Sequence, residues 1–234
     1  MKFARSLIVA VAIATPLQAI EPMAIQDNSF LVEEAYNQEA GVVQHIFTFS
    51  RDGDESVAAF GQEFPAGGQR HQLSYAISIL SLDRESGLGD TMLNYRYQLI
   101  GDGTTTLAVS PRVSLIVPTG DSDRGLGAGN WGYELNLPVS FAFSDRLVTH
   151  WNAGITDTDD AEYFAGASVI AAARKKFHLM LETKWTSEGD ATFVVAPGVR
   201  WAHDLKNGFQ IVPGIAVPIS DDGQAIFLYL SLER

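Results

Sequence analysis

The sequence predicts an all-β protein, a closed antiparallel transmembrane β-barrel of about twelve strands, with ten as the alternative count. Three observations predict it. The chain opens on an export signal, its later segments alternate polar and apolar residues, and those segments are long enough to cross a bilayer at a tilt.

The export signal comes first. Lys2 and Arg5 precede an unbroken small and aliphatic run from Leu7 to Ala14, which leads into Pro16-Leu17-Gln18-Ala19. A basic head, a short apolar middle and a small residue at the exit make a secretory signal peptide, and cleavage is expected after Ala19. The alternative, a buried amphipathic helix, would carry polar residues inside that run. The run is shorter than the ~20 residues a membrane-spanning helix needs, and so is the most apolar later run, Val169 to Ala173. The expected organisation is therefore a signal peptide over 1–19, an N-terminal segment over 20–43 and a barrel over 44–234.

Composition narrows the classes. With 16 basic against 28 acidic residues the net charge is −12, the opposite of a nucleic-acid footprint. There is no cysteine, which rules out a disulfide framework and thiolate zinc.

The strands follow from period two. From Asp90 to Ile100, Leu93, Tyr95, Tyr97 and Leu99 share one face, while Asn94, Arg96 and Gln98 share the other. Leu107, Val109, Val113, Leu115 and Val117 likewise oppose Ser110, Arg112 and Ser114. Between Trp131 and Phe143, Tyr133, Leu135, Leu137, Val139 and Phe141 oppose Glu134, Asn136 and Ser140. Strands are expected near 44–51, 56–65, 70–81, 90–101, 104–118, 130–144, 146–155, 161–173, 176–186, 191–202, 208–220 and 223–233. The segments 44–65 and 161–173 alternate poorly, which is what leaves ten strands open. An even count returns the C-terminus to the rim where the first strand begins.

Connections and charge supply a further test. Gly101-Asp102-Gly103, Ser144-Asp145-Arg146, Arg174-Lys175-Lys176 and Lys206-Asn207-Gly208 read as tight turns, whereas Ser81–Gly89 and Thr119–Gly129 read as longer loops on the other rim. Acidic residues such as Asp52, Asp54, Asp121, Asp123, Asp159, Asp160, Asp221 and Asp222 gather on the long-loop rim. Arg146, Arg174, Lys175, Lys176 and Lys206 gather on the other.

Alternation alone does not say which face is inside. A soluble sandwich packs its apolar face inward, whereas a membrane barrel turns it toward lipid. The signal peptide, the strand lengths and the aromatics near strand ends (Phe64, Trp131, Phe143, Trp151, Trp185, Trp201 and Phe209) favour the membrane arrangement. The polar faces then line a lumen: Gln72, Asn94, Arg96, Arg112, Glu134, Asn136, His150, Asn152, His178, Glu182, Lys184, Arg200 and Gln210. Arg96, Arg112 and Glu134 fall on successive strands, a ladder of charge that braces a wall or tunes a pore.

Several motifs stand outside the alternation. They are the segment Ser29-Phe30-Leu31-Val32-Glu33-Glu34-Ala35-Tyr36-Asn37-Gln38-Glu39-Ala40-Gly41-Val42-Val43-Gln44-His45; Gln62-Glu63-Phe64-Pro65 with Arg70-His71-Gln72-Leu73-Ser74-Tyr75; Gly87-Leu88-Gly89-Asp90 before Leu93-Asn94-Tyr95-Arg96-Tyr97; and Pro118-Thr119-Gly120-Asp121 with Gly125-Leu126-Gly127. Together they resemble the bacterial outer-membrane family described as "putative MetA-pathway of phenol degradation", over nearly the whole mature chain. The resemblance implies an outer-membrane barrel and transport of small organic molecules, and it carries over no catalytic residue. One departure is the end, Tyr229-Leu230-Ser231-Leu232-Glu233-Arg234, where such barrels usually finish on an aromatic residue. Either Phe227 and Tyr229 take that part, or the last strand is trimmed.

Asn28–Gly41 is expected to start a short helix, capped by Asn28 or Ser29 and stopped by Gly41. It is either a plug in the lumen or a periplasmic tail.

No catalytic residue, metal site or cofactor is expected. His45, His71, His150, His178 and His203 are scattered, and no Gly-x-Ser-x-Gly turn is present. Asp157-Thr158-Asp159-Asp160 and Asp121-Ser122-Asp123 read as solvated acidic loops, without the ligand order of a calcium-binding EF-hand. The leading functional expectation is an outer-membrane channel or uptake protein for small hydrophobic or aromatic compounds. A structural or adhesive barrel with a closed lumen and a lipid-modifying enzyme are the alternatives. The expected partners are outer-membrane lipid and lipopolysaccharide, the small organic solute and the barrel-assembly machinery.

Overall fold

The computed structural model of the chain describes residues 29–234 apart from 83, 188, 190 and 207. The signal peptide, its cleavage point and Asn28 lie outside the described residues.

Twelve antiparallel strands form the wall, several of them interrupted. They are β1 (Gln44–Asp52), β2 (Glu55–Pro65), β3 (His71–Leu82), β4 (Glu85–Leu88 and Thr91–Tyr97), β5 (Leu107–Val109 and Arg112–Val117) and β6 (Gly132–Asn136 and Val139–Ser144). There follow β7 (Leu147–Asp157), β8 (Ala161–Arg174), β9 (Phe177–Thr186), β10 (Thr192–Trp201 and His203–Asp204), β11 (Gln210–Ala216 and Ile219–Ser220) and β12 (Gly223–Gln224 and Ile226–Glu233). Each strand pairs with its neighbours in sequence, and β12 closes on β1 from Gln44 opposite Glu233 to Arg51 opposite Ile226. Outside the strands, Val43 and Arg234 exchange backbone hydrogen bonds at 2.9 and 3.2 Å, extending the seam. Closure removes the free sheet edge that lipid would leave unsatisfied.

The two weakly alternating segments resolve in favour of twelve strands. Residues 44–65 are the hairpin β1–β2, turning at Gly53, whose φ of 54° suits glycine. Residues 161–174 are one strand, paired with β7 and β9 on either side. Interruptions in β5, β6 and β11 fall at Pro111, Pro138 and Pro218, which have no N–H to give. Their carbonyls still accept from a neighbouring strand, from Tyr97, Ser110 and Ala225 respectively.

The rims differ from the expectation in one respect. Ser81–Gly89 is not a loop: β3 runs on to Leu82 and β4 begins at Glu85, with Ser81 opposite Ser86 and Leu82 opposite Glu85. Residues 84–86 at the tip are exposed, so no apolar alternation marks them as strand. The long connection is 118–131, with one 3-10 turn at Ser122–Arg124. On the opposite rim β4 loosens after Tyr97, where Leu99 and Ile100 both donate to the carbonyl of Val109.

The faces are arranged as a membrane barrel requires. On β9, Leu181 is 50% exposed while its neighbour Glu182 is 0% exposed. The same contrast repeats around the wall: Leu93, Tyr95, Val113, Leu115, Leu135, Leu179 and Leu228 face out, and polar residues are shut in. Trp131, Phe143, Trp151, Trp185 and Phe209 are exposed on the outside, while Phe64 and Trp201 are half-buried. At the last strand, Phe227 and Tyr229 share the inward face with Ser231, and Glu233 pairs on both sides.

Candidate functional site: the barrel lumen

The strand pleat puts every second side chain into the lumen. Gln72, Arg96, Arg112, Asn136, His150, Asn152, His178, Glu182 and Arg200 are all buried there. Asn94, Glu134, Lys184 and Gln210 are half-buried. Asn94 donates to Ser74 Oγ at 3.1 Å and accepts from Arg112 Nη1 at 3.0 Å. The Lys184 ammonium lies 5.7 Å from the centre of the Phe164 ring. Gln210 donates to Asp204 at 3.0 Å on the rim that carries the termini.

The expected ladder is realised only in part. Arg112 pairs with Glu134 across β5 and β6. It also holds Glu33 from ahead of the barrel, at 2.8 and 3.1 Å. Arg96 turns instead to that same N-terminal segment. It donates to Asn37 Oδ1 at 3.0 Å, to the carbonyl of Glu34 at 3.1 Å and to the carbonyl of Tyr36 at 2.6 Å. Three carboxylates face it, Glu33 at 3.8 Å, Glu34 at 3.6 Å and Glu63 at 3.7 Å.

Residues 29–38 therefore lie inside the lumen, as a strap across it. The strap is irregular, with bends at residues 30–32 and 35, and no helix forms among its described residues, which corrects the expectation from Asn28–Gly41. A helix would send each N–H back along its own chain, whereas here wall side chains take those donors. Phe30, Leu31 and Val32 donate to Glu182 on β9, Glu33 to Asn152 on β7, Ala35 to Ser140 on β6, Asn37 to Gln98 beyond β4, and Gln38 to Gln72 on β3. Asn152 and Gln98 also donate back, to the carbonyls of Glu33 and Ala35, at 2.9 and 2.7 Å. The strap thus sweeps round the inner wall in strand order. It leaves through a turn at Gly41 (φ 89°), where the expected stop residue does reverse the chain, and joins β1.

Gln98 and Ser140 stand on the polar strand faces read from the sequence but outside the expected lumen set, and Gln44 and Glu63 are absent from that set because 44–65 alternates poorly. Glu33, Glu34 and Asn37 carried no such signal, because the strap has no period.

Between the strap and β5–β9, on the acidic-rim side, is a cavity of about 180 Å³ lined by Leu31, Glu33, Glu134, Thr156, Phe164 and Lys184, among others. Over β10–β12 and β1 the inner wall carries an apolar patch, Ala196, Gly198, Val212, Gly214, Ala216, Phe227, Tyr229 and Ile46, bordered by buried Arg200, Ser231 and Gln44. At the mouth, Asp90 accepts the N–H of Gly120 at 2.9 Å and of Ala128 at 2.8 Å, which ties the long loop to β4. Leu126 is buried against Gly87, and Gly127 is where the Asp90 carboxylate passes, so the two Gly-Leu-Gly motifs meet.

One pair resembles a nucleophile and its base: Ser140 Oγ and His150 Nδ1 are 2.7 Å apart. Both are buried on the inner wall, Ser140 already accepts the N–H of Ala35, and Tyr36 stands edge-on over the imidazole at 5.9 Å. Acyl chains of the membrane lie on the other side of the wall.

A closed twelve-strand barrel with a polar interior and an apolar belt defines an integral β-barrel protein of the outer membrane. Residues 25–233 match the family model described as "Putative MetA-pathway of phenol degradation", and the chain belongs to that family. Among solved structures it is similar to the COG4313 outer membrane channel from Pseudomonas putida F1, with TM-score 0.61 and 14% identity over 90% of this chain and 99% of that one. It is also similar to the KdgM porin (TM-score 0.60, 10% identity, 80% and 97% of the two chains). For the NanC porin the figures are 0.57, 8%, 81% and 98%. These likenesses show the fold. No curated protein sequence matches the chain.

Proposed function

We propose that the protein is a passive outer-membrane channel or uptake protein for small organic molecules, hydrophobic and aromatic ones included. The observation that carries this reading is the divided lumen, hydrogen-bonding along one side and apolar along β10–β12 and β1. A wall that only braced itself would gain little from apolar side chains facing a polar interior, whereas a solute with a hydrocarbon part would be solvated by them. On this reading the partners are the solute, outer-membrane lipid with its lipopolysaccharide, and the machinery that assembles barrels.

The strap favours a second reading, a structural barrel with a closed lumen, because seven of its backbone N–H groups are already satisfied by the wall. Planar-bilayer conductance and liposome swelling with small uncharged solutes separate the two, using the full chain and a form lacking residues 29–41. Solute flux in the full chain, or its appearance on deletion, supports the channel. No conductance and no flux from either form would leave the structural barrel.

A further inference from the structure

The ring of Phe30 sits in a socket of the apolar inner wall. Its floor is backbone. A Cβ placed on Gly198 would come within 2.5 Å of Phe30 Cε2, and one on Gly214 within 2.7 Å of Cε1. Glycine weakens a strand interior, and two of them on adjacent strands under one ring mark a close approach. The sides are Phe227, with its ring centre 5.6 Å away and tilted by 53°, and Tyr229, 5.8 Å away and edge-on at 64°. Ile46 and Val212 complete the apolar part of the lining, and buried Arg200 stands beside it, opposite Gly214.

We propose that this socket is a binding subsite for an uncharged monocyclic aromatic solute, and that Phe30 fills it as a resident placeholder which the solute displaces. The inference rests on the uptake reading above and adds to it a place and a chemistry. Phe30 belongs to the strap and not to a strand, so its ring leaves without opening any wall pairing. A flat floor between two aromatic side walls suits a six-membered ring, with edge-to-face contacts that an aliphatic group does not offer. Apolar cavities that lose their side chain stay dry and take up benzene-like ligands. The ring now present shows the size and shape of what fits. The strap also reports displacement, because the N–H groups of Phe30, Leu31 and Val32 are held by Glu182 beside it.

The test uses the mature chain in lipid nanodiscs, with 4-fluorobenzyl alcohol as the probe. Its binding is followed by ¹⁹F relaxation against empty nanodiscs, which correct for partition into lipid. Phe30→Ala should bind the probe about tenfold more tightly than the native chain, since nothing need be displaced. Adding Gly214→Leu to that variant refills the socket and should return binding to the empty-disc level. Cyclohexylmethanol should compete poorly. Equal binding by the native chain and F30A, unchanged binding by the double variant, or full competition by the saturated alcohol would each overturn the proposal.

If F30A fails to form a heat-modifiable barrel, the native chain decides. Saturating probe should speed hydrogen exchange at Phe30–Val32 by about fivefold or more, and unchanged exchange refutes displacement. Conductance is read separately: a barrel that binds the probe but passes no solute keeps the subsite and loses the channel, and the reverse result does the opposite.

Discussion

Glu182, buried on β9, accepts the backbone N–H of Phe30 at 2.8 Å, from a residue 152 positions away in the chain. The same carboxylate takes the N–H of Leu31 at 2.8 Å and of Val32 at 3.1 Å. One side chain therefore anchors the far end of the strap, with hydrogen bonds strengthened by its charge.

Removing that anchor should free the strap without opening the barrel. Glu182→Ala leaves three donors without their acceptor, each costing about 1–3 kcal/mol where water does not reach. Hydrogen exchange at residues 30–32 should rise by about a hundredfold or more, while the heat-modifiable band on gels persists. Glu182→Gln, which keeps one acceptor oxygen, should fall between. Native exchange rates in E182A would show that the strap is held elsewhere.

Arg96 carries a different load. It grips the middle of the strap through Asn37 and two carbonyls, and it faces Glu33, Glu34 and Glu63. Arg96→Ala strips the cation from a buried acidic group, so the barrel itself should lose about 3–5 kcal/mol in urea unfolding. Arg96→Lys restores charge but not the planar fork, and should recover only part of the loss. A loss under about 1 kcal/mol in R96A would contradict this account.

The long loop should answer to Asp90 more than the barrel does. Asp90→Ala releases the N–H groups of Gly120 and Ala128, and limited proteolysis within 118–131 should accelerate by about tenfold. The unfolding midpoint of the barrel should stay where it is, because β3, β4 and β5 keep their pairings. Unaltered cleavage would mean that Arg124, bonded to Glu85 at 2.6 Å, holds the loop by itself.

The inside-out arrangement makes its own demand. Leu181 faces outward at mid-strand on β9, flanked by Val169 and Pro197, so Leu181→Arg should cost about 2–4 kcal/mol in folding into lipid vesicles. A soluble barrel with its apolar face inside would place that arginine in a core instead. A variant that folds into vesicles as well as the native chain would argue against lipid at this face.

Much of the wall was legible because a strand's facing is set locally. Leu181 and Glu182 differ by one position, and once lipid lies on one side their alternation assigns both faces. Strand ends were less legible near the rims. At Ser81–Gly89 small and charged residues show no period of two, so a paired hairpin and a loop are equally consistent with the composition. The strap was legible only as an interruption. Its residues recur at no interval, and the groups that hold it (Glu182, Asn152, Ser140, Arg96, Gln72) were visible as lumenal polar residues without any sign of what they would bind.

The amino-acid sequence by itself determined the barrel and, through its export signal, strand lengths and strand-end aromatics, the side that meets lipid, because every backbone group in hydrocarbon must be satisfied. Only the tertiary structure decided that the strands number twelve and not ten, that residues 29–38 circle the inner wall, that Phe30 rests on Gly198 and Gly214, and that Asp90 ties down the loop. Each of those contacts joins residues far apart in the chain through side-chain directions that exist only once the cylinder has closed.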